Sequence, residues 1–381
     1  MPEIKRWSGN DTTDISIGNN GYKEIVYFAK KFSSVFVFGD GHIGKSIQKY
    51  LADSNISVAA VYTSDTLAQI SEKFADNCGI VIGVGDALID EIMPYVSSLF
   101  DENQIYIPDA SVRESLGNIL DIRNWENEFW LNIYVTNKCN LGCKSCSAFA
   151  PICKPDFYEL ESFKNDIQRI SEMKFKTISE MKFTGAEAML HPNIIEMLEY
   201  TRKFFSDIKI QIYTNGLFIK NCSIDKLKML SELQVILVVT EYPLPNLDLS
   251  DSYRKLDESG VSYYVIYAEE QKYFSKRPLR FEGDVPVERY IECPRYKMCK
   301  SLFLFRGKLF KCIYAISADY VNEAFDKSLE VKEADYVDIY KADVSKVFEY
   351  ATSRLPFCNY CSPIEEKIPW GISERKLEEW A

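Results

Sequence analysis

Three cysteines stand close together in the middle of the chain, directly after an apolar run. Cys139, Cys143 and Cys146 are separated by three and then two residues, and Phe129–Thr136 before them has the β-branched and aromatic composition of a buried strand. Three thiolates on a cubane iron–sulfur cluster leave one iron open to a small molecule. A closed zinc site needs four ligands, and Cys153 could supply the fourth. The spacing therefore indicates a metal centre and leaves iron–sulfur and zinc as alternatives.

Further strands are predicted downstream of the cysteines, and helical stretches alternate with them. The predicted elements are strands over Met181–Thr184, Ile208–Tyr213, Val235–Val239 and Val261–Tyr267, with a helix over Ile194–Phe204. This alternation favours an α/β fold with a parallel sheet. Gly185-Ala186-Glu187 and Thr214-Asn215-Gly216 follow two of these strands. Because barrel active sites lie at the C-terminal ends of strands, these segments predict a site beside the cysteines.

Residues 127–270 resemble the partial (β/α)6 barrel of the radical S-adenosylmethionine (radical SAM) superfamily, on the cysteine spacing and the strand-end segments just described. The resemblance implies that Cys139, Cys143 and Cys146 hold a catalytic [4Fe–4S] cluster. It also implies S-adenosylmethionine as cofactor, a 5′-deoxyadenosyl radical that abstracts hydrogen, and a flavodoxin- or ferredoxin-type electron donor. The cofactors carry this chemistry, and the protein orients them.

The same resemblance assigns the cofactor pocket. Gly185-Ala186-Glu187 resembles the family's Gly-Gly-Glu motif, which accepts hydrogen bonds from the ammonium group of S-adenosylmethionine. Ala186 replaces the second glycine, which matters only if that residue needs a positive φ. Ser145 stands where many members carry an aromatic residue, so Phe149 becomes the candidate for contact with adenine. The cofactor-binding residues implied are Phe149, Gly185, Ala186, Glu187, Thr214 and Asn215.

A second group of cysteines lies in the C-terminal third. Ser301–Phe305 and Lys308–Cys312 are predicted to form a hairpin around Arg306-Gly307. Such a hairpin would place Cys299 near Cys312, across its open end.

Cys358 and Cys361 follow with the two-residue gap that is common in iron–sulfur and zinc sites. Together with Gly307 and Cys312, which match a Gly-x4-Cys pattern, they resemble the shortened SPASM, or twitch, appendage of radical SAM enzymes. The resemblance implies an auxiliary [4Fe–4S] cluster on Cys312, Cys358, Cys361 and either Cys299 or Cys293. The 13 residues between Cys293 and Gly307 fit the family spacing, whereas the hairpin geometry favours Cys299. A structural zinc on the same cysteines stays an alternative.

The first 110 or so residues form a separate predicted unit. Val35–Phe38 runs into a Gly-x-Gly-x-x-Gly segment and a helix through Leu51, which is the context of a Rossmann fingerprint. Phosphate could bind at the helix N-terminus, although Asp40 would place a negative charge beside it. The candidate phosphate or nucleotide contacts are Gly39, Gly41, Gly44, Lys45 and Asp65. The length allows about half of the six-strand fold, so a purely structural domain is the alternative.

Composition and charge disfavour nucleic-acid-binding, membrane-spanning and secreted proteins. The net charge of −11 disfavours nucleic acid as a partner, and no run approaches the roughly 18 apolar residues of a membrane span. The opening MPEIKRWSGN lacks the apolar stretch of a signal peptide, and 11 cysteines then indicate metal ligands in a cytoplasmic protein. The predicted domains are Rossmann-like (1–115), linker (116–128, overlapping the mixed and charged stretch 112–126), radical SAM partial barrel (129–285) and auxiliary-cluster domain (286–381).

Three functional hypotheses follow from these features. The first is a radical SAM enzyme that dehydrogenates or epimerises a small polar substrate, such as a sugar or nucleotide-linked sugar, because a phosphate-binding domain is fused to the barrel. The second is a radical SAM maturase that modifies a peptide. The third, from another class, is a binding or scaffold protein with structural zinc at both cysteine groups.

Overall fold

The computed structural model describes residues 21–67, 72, 74, 76–120, 129–176, 178–281, 293, 300–362 and 365–381. The chain divides into two compact units. The first is built mainly from Met1–Asn124, and the second contains most of the remaining chain. No helix in the described ranges has the length and apolar character to cross a membrane.

The first unit is a four-stranded parallel sheet with helices between its strands. Its elements are α1 (Gly21–Ala29), β1 (Ser34–Phe38), α2 (His42–Asp53), β2 (Val58–Tyr62), α3 (Ser64–Leu67), β3 (Cys78–Ile82), α4 (Asp86–Leu99), β4 (Ile105–Tyr106) and α5 (Ala110–Leu120). The strand order is β2-β1-β3-β4. The chain therefore changes direction across the sheet between β1 and β3, and open α/β sheets bind ligands in the crevice at such a point.

The second unit is organised around an eight-stranded sheet of order β13-β12-β11-β5-β6-β7-β8-β9. Its strands are β5 (Phe129–Thr136), β6 (Ile178–Gly185), β7 (Lys209–Thr214), β8 (Val235–Thr240), β9 (Ser262–Ile266), β10 (Tyr273–Lys276), β11 (Ser301–Phe305), β12 (Lys308–Phe310), β13 (Val337–Asp338) and β14 (Glu366–Pro369). The strands from β11 through β9 run parallel, and β10 pairs with β14 in a separate two-stranded sheet. Since β13 and β9 are the two edges, the large sheet is a partial barrel that does not close.

Five helices pack on one face of the large sheet: α6 (Leu160–Glu172), α7 (Ile194–Phe204), α8 (Ile224–Glu232), α9 (Ser250–Ser259) and α12 (Val344–Thr352). Two short helices, α10 (Ile313–Ile316) and α11 (Ala318–Phe325), pack instead against Tyr134, Phe303 and Phe310 on the other face. In α7 the buried side chains recur at helical spacing, at Ile194, Met197, Leu198 and Thr201. The Glu159 carboxylate caps α6 by accepting hydrogen bonds from the N–H groups of the first turn.

Alternate side chains of the central strands point to opposite faces, as the strand period of two requires. Leu131, Ile133, Met181 and Phe183 are buried in the core beneath the helices. The residues between them face the concave side, and several of those are polar. This polar concave face positions the candidate site.

One predicted feature differs from the structure, and another is confirmed. Residues 112–120, predicted as part of a linker, instead belong to α5, in which Arg113 and Leu116 are buried on one face. The rest of that linker, residues 121–128, lies outside the described part of the chain. The hairpin is confirmed: β11 and β12 are antiparallel, and Arg306 and Gly307 have φ of 50° and 75°, as a primed two-residue turn requires.

Candidate active site

A pocket of about 430 Å³ opens on the concave face, at the C-terminal ends of the parallel strands. The three cysteines predicted to bind the catalytic cluster share its wall with four of the predicted cofactor contacts. These lining residues are Cys139, Cys143, Cys146, Gly185, Ala186, Thr214 and Asn215. The sequence-predicted segments after β5, β6 and β7 therefore meet in one place.

The three thiols affect one another electrostatically and are poorly solvated. Burial, with a smaller contribution from neighbouring cysteine thiols, raises the pKa of the Cys139 and Cys143 thiols to about 12. Burial also raises the pKa of the Cys146 thiol. Binding iron to these thiols must therefore displace protons, as metal binding to cysteine generally does.

Gly185 is the residue that the loop geometry requires in the Gly-Ala-Glu segment. Its φ is +126°, and a Cβ at this position would lie 2.2 Å from the carbonyl oxygen of Thr136. Ala186 is absent from the positive-φ residues, and its N–H donates to that same Thr136 oxygen at 2.8 Å. The departure from the Gly-Gly-Glu pattern therefore costs no backbone strain.

Replacing Gly185 with alanine is expected to destabilise the protein. The strained φ alone should cost about 1–3 kcal/mol, and the contact with the Thr136 carbonyl adds to that. Gly142 is a matched control in the cysteine loop, since a Cβ there meets nothing within 4 Å. Gly142→Ala should change stability by no more than about 0.5 kcal/mol. Urea unfolding followed by circular dichroism measures both, and equal midpoints for the two variants would refute this account of Gly185.

Glu187 lies behind the wall of the pocket rather than on it. Its side chain is fully buried, and its carboxylate accepts hydrogen bonds from the N–H of Asn215 at 2.8 Å and of Met189 at 3.1 Å. Burial raises the pKa of this carboxyl to about 7. The structure thus makes Glu187 a support for the strand end that carries Asn215, rather than a direct contact of the pocket.

Asn215 connects the strand end to the cysteine loop. Its side-chain amide donates to the Asn140 side-chain oxygen at 2.8 Å and lies 3.8 Å from the Cys139 sulfur. Its Oδ1 accepts from the N–H of Leu217 at 3.0 Å. Gly216 then turns the chain with a φ of +75°. These contacts hold the Asn215 side chain against the cysteine loop.

Phe149 does not reach the pocket. Its ring is fully buried, stacks on Trp380 with centroids 5.6 Å apart, and meets Tyr314 edge-on at 5.1 Å. The Ser145 hydroxyl donates to the carbonyl of Glu379 instead of contributing to the pocket. Among the described lining residues, Trp130, Tyr213, Tyr242 and Phe303 are the aromatic ones.

Deeper in the pocket the wall is polar. Lys182 lies with its ammonium 3.9 Å from the centroid of the Trp130 ring and 2.6 Å from a carboxylate oxygen of Glu180. The hydroxyls of Thr184 and Ser301 are buried and have no hydrogen-bond partner within the described structure. Unsatisfied buried hydroxyls are costly unless something fills the space beside them. The deep part of the pocket therefore suits a polar molecule.

The second group of cysteines also comes together. Burial raises the pKa of the Cys361 thiol, and Cys312, Cys293 and Cys358 raise it further, in that order. Arg277 donates to the Cys293 sulfur at 3.4 Å. The structure therefore places Cys293 beside the other three cysteines. Cys299, the alternative ligand, lies outside the described residues.

The glycine-rich turn of the first unit has the packing of a phosphate-binding turn. Gly39 follows β1 with a φ of +112°, and a Cβ on Gly44 would lie 2.0 Å from its carbonyl oxygen. A Cβ on Gly41, in contrast, meets nothing within 4 Å. Lys45 and Asp65 are exposed. The turn thus packs α2 tightly against the sheet and leaves its tip accessible.

Within the described residues, neither cysteine group is arranged to hold a single metal ion. Across the described ranges, no set of three or more His, Cys, Asp or Glu side chains is arranged to hold a metal ion.

Sequence reasoning missed the contribution of the C-terminal segment. Trp370 stacks on Tyr242, which lines the pocket. Trp380 stacks on Phe149, and its indole N–H donates to the carbonyl of Cys146. The available signal was compositional, because two of the chain's five tryptophans fall in its last twelve residues.

Comparison with known families agrees with this arrangement. Residues 133–265 match the family model described as the radical SAM superfamily. This segment is a radical SAM domain. The match runs from the second half of β5 through most of β9 and includes the three cysteines and the ends of β6 and β7 that line the pocket.

Two curated relatives match part of this chain. The antilisterial bacteriocin subtilosin biosynthesis protein AlbA of Bacillus subtilis (strain 168) is 30% identical over 141 residues, which are 34% of this chain and 28% of AlbA. The 7,8-dihydro-6-hydroxymethylpterin dimethyltransferase of Methanocaldococcus jannaschii is 33% identical over 108 residues, which are 26% of this chain and 19% of that protein. The chain therefore spans less than a third of the length of either relative.

Two solved structures resemble this chain at lower sequence identity than the curated relatives. BtrN in complex with AdoMet and 2-DOIA is 15% identical with a TM-score of 0.39, and the match covers 58% of this chain and 83% of BtrN. Streptococcus suis SuiB bound to the precursor peptide SuiA is 10% identical with a TM-score of 0.33, covering 69% and 77% of the two chains.

A radical SAM protein uses a [4Fe–4S] cluster and S-adenosylmethionine, and the residues of the pocket suit both. Three cysteine sulfurs share one wall, with no fourth cysteine among the described lining residues. The indole nitrogen of Trp370 is buried without a partner, yet it lowers the pKa of the Cys143 thiol, so a donor faces that sulfur. Gly185 lines the pocket with its backbone alone, and a Cβ at this position would clash with the Thr136 carbonyl oxygen.

Proposed function

We propose that this radical SAM protein abstracts hydrogen from a small polar substrate bound in the deep part of the pocket. Cys139, Cys143 and Cys146 would hold the catalytic cluster at the mouth. The observation that carries the proposal is the composition of this pocket. The three cluster ligands line it together with Lys182 and the unpartnered hydroxyls of Thr184 and Ser301.

When bound, the cluster and S-adenosylmethionine supply an electron and a 5′-deoxyadenosyl radical. The residues of this chain then have three tasks. The Gly185-Ala186 backbone and Thr214 line the cofactor space. Glu187 and Asn215 hold the end of β7 beside Cys139. The buried core around Phe149 packs against the cysteine loop. These residues orient the reactants and exclude water, which is the protein's usual share of radical chemistry.

A sugar or nucleotide-linked sugar is the substrate class that the deep pocket favours. Hydroxyl groups of such a molecule could satisfy the Thr184 and Ser301 oxygens, since each hydroxyl both donates and accepts. Lys182 adds a cation that suits an anionic group. These lining residues are compatible with either dehydrogenation or epimerisation of the substrate.

A peptide substrate is the second candidate, and the similarity to AlbA favours it. AlbA is named for the biosynthesis of a bacteriocin, and it is 30% identical to this chain over 141 residues. The two candidates differ in the hydrogen that is removed. Incubating the reduced protein with S-adenosylmethionine and deuterated sugars or peptides should place deuterium in 5′-deoxyadenosine for only one class. No transfer from any sugar, together with transfer from a peptide, would replace the first candidate by the second.

The second cysteine group is proposed to hold an auxiliary [4Fe–4S] cluster. Cys293, Cys312, Cys358 and Cys361 supply four thiolates, which leave no iron open, so electron transfer is the role that such a cluster suits. Arg277, buried beside Cys293, would offset part of the negative charge of these ligands. Structural zinc on the same four thiolates is the alternative, because zinc also accepts four cysteines.

The turn at Gly39–Gly44 is proposed to bind a phosphate group of a nucleotide-linked ligand. The exposed tip at Gly41 and the start of α2 present backbone N–H groups, and Lys45 adds a positive charge. Gly41→Val should abolish the binding of nucleotide sugars or phosphate esters, measured by calorimetry. Stability should change little, because Gly41 is exposed and a Cβ there meets no atom within 4 Å. If the unsubstituted protein binds none of these ligands at millimolar concentration, the unit is structural.

A further inference from the structure

The C-terminal segment, defined here as residues 370–380, lies along the cysteine loop of residues 139–146. The N–H of Lys144 donates to the carbonyl of Gly371, and the N–H of Ser373 donates to the carbonyl of Gly142, both at 2.8 Å. Cys143 and Ile372 form an antiparallel bridge between these bonds. The loop that carries the cluster ligands is therefore paired to backbone more than 200 residues later in the chain.

The two tryptophans of this segment differ in what their indole N–H groups do. The N–H of Trp380 donates to the carbonyl of Cys146 at 3.0 Å, so its hydrogen bond is already made. The N–H of Trp370 is buried and makes no complete hydrogen bond among the residues that the structure describes, but it faces the Cys143 sulfur as a donor. A buried N–H whose hydrogen bond is incomplete is rare in a native protein, and the thiolate form of Cys143 would be a stronger acceptor than the thiol.

The Trp370 ring is held in a fixed position. Its plane stacks on Tyr242 with centroids 6.0 Å apart and an angle of 29°, and Tyr242 lines the pocket. The backbone N–H of Trp370 donates to the carbonyl of Lys272 at 2.9 Å, which continues the β10–β14 pairing. Two residues on, Ile372 is paired with Cys143. The indole is thus anchored from three directions on the Cys143 side of the pocket.

We propose that Trp370 is a positioning residue whose indole N–H donates a hydrogen bond to the Cys143 sulfur when the cluster is bound. This inference rests on the proposed assignment of Cys139, Cys143 and Cys146 as cluster ligands. A donor to a ligating sulfur stabilises the more negative, reduced cluster. Trp370 therefore raises the reduction potential of the catalytic cluster and makes the first electron easier to accept.

The first test needs no variant. The full chain is produced with tryptophan carrying 15N in the indole ring, reconstituted with iron and sulfide under anaerobic conditions, and reduced. Electron–nuclear double resonance at the cluster signal that responds to S-adenosylmethionine should show a 15N coupling. Trp370→Phe should remove this coupling, and Trp380→Phe should keep it, because the Trp380 N–H is bonded to a backbone carbonyl.

The second test is a reductive titration of the same cluster signal. Trp370→Phe, which keeps an aromatic ring and loses the donor, should shift the midpoint potential to a more negative value, and Trp380→Phe should leave it unchanged. A wild-type protein without 15N coupling, or a Trp370→Phe protein with an unchanged potential, would overturn the inference. No signal responsive to S-adenosylmethionine in any of the three proteins would instead overturn the proposed cluster site.

Discussion

Alanine at Cys139, Cys143 and Cys146 together is expected to remove about four irons per chain and all reductive cleavage of S-adenosylmethionine, since such clusters contain four irons. The three thiols share one pocket wall and affect one another's pKa values, so they act as one ligand set. Iron analysis of the reconstituted protein and chromatographic detection of 5′-deoxyadenosine measure the two losses. Far-ultraviolet circular dichroism checks that the fold persists.

Cys153→Ala is the matched control for this loss. Cys153 is the residue that a four-ligand zinc knuckle would need, but the structure places its sulfur 3.8 Å from the carbonyl oxygen of Ala148, and it does not line the pocket. Its replacement should leave the iron content and cofactor cleavage intact. Retained cleavage of S-adenosylmethionine in the triple variant, or loss of iron in Cys153→Ala, would contradict the assignment of the three cysteines as the cluster ligands.

A second large effect is expected at the auxiliary cysteines. The reconstituted protein should contain about eight irons, the sum of two four-iron clusters, and Cys358→Ala with Cys361→Ala should lower this to about four. The response of the remaining cluster to S-adenosylmethionine should persist, because the catalytic ligands are untouched. Cys293→Ala should lower the iron content in the same way, since Cys293 contributes to the electrostatic environment of Cys361.

Cys222→Ala is the control for this second group. Cys222 is buried in the hydrophobic core of the barrel, so its replacement should not change the iron content. Cys299→Ala should also leave the content near eight. A wild-type content near four with one equivalent of zinc would replace the auxiliary cluster by a structural zinc site. Iron loss in Cys299→Ala but not in Cys293→Ala would exchange the two ligands.

Elements with a strong local pattern could be predicted from the sequence. The structure confirms the strands Phe129–Thr136 and Ser301–Phe305 and the helix Ile194–Phe204 at their predicted boundaries. Each combines a continuous or periodic apolar pattern with clear flanking residues. The cysteine loop and the ends of β6 and β7 met as predicted, because parallel strands bring their C-terminal ends to one edge.

Pairing between distant strands could not be predicted. The sequence suggested that residues 286–381 form a domain of their own, whereas β11 pairs with β5 in the same sheet, with Ser301 opposite Trp130. These partners are separated by about 170 residues, and no local pattern specifies which strand edge another strand will join. The helical part of the predicted linker was missed for a related reason, since the buried face of α5 is set by tertiary packing.

The orientation of single side chains was the other limit. Phe149 and Glu187 lie close in sequence to residues of the pocket, but both side chains point into the core. An aromatic residue beside a cysteine loop can serve a ligand or a core, and sequence position does not distinguish them. Lys182 and Trp370 had no motif, and their place in the site depends on which strand face is concave and on the path of the C-terminal segment.

The most direct test of the central claim is the product formed from S-adenosylmethionine. The anaerobically reconstituted protein, reduced with dithionite and incubated with S-adenosylmethionine, should release 5′-deoxyadenosine and methionine. The triple cysteine variant should release neither. If the iron-loaded wild-type protein yields no 5′-deoxyadenosine above the level of the triple variant, with or without candidate substrates, the radical function assigned to this pocket is contradicted.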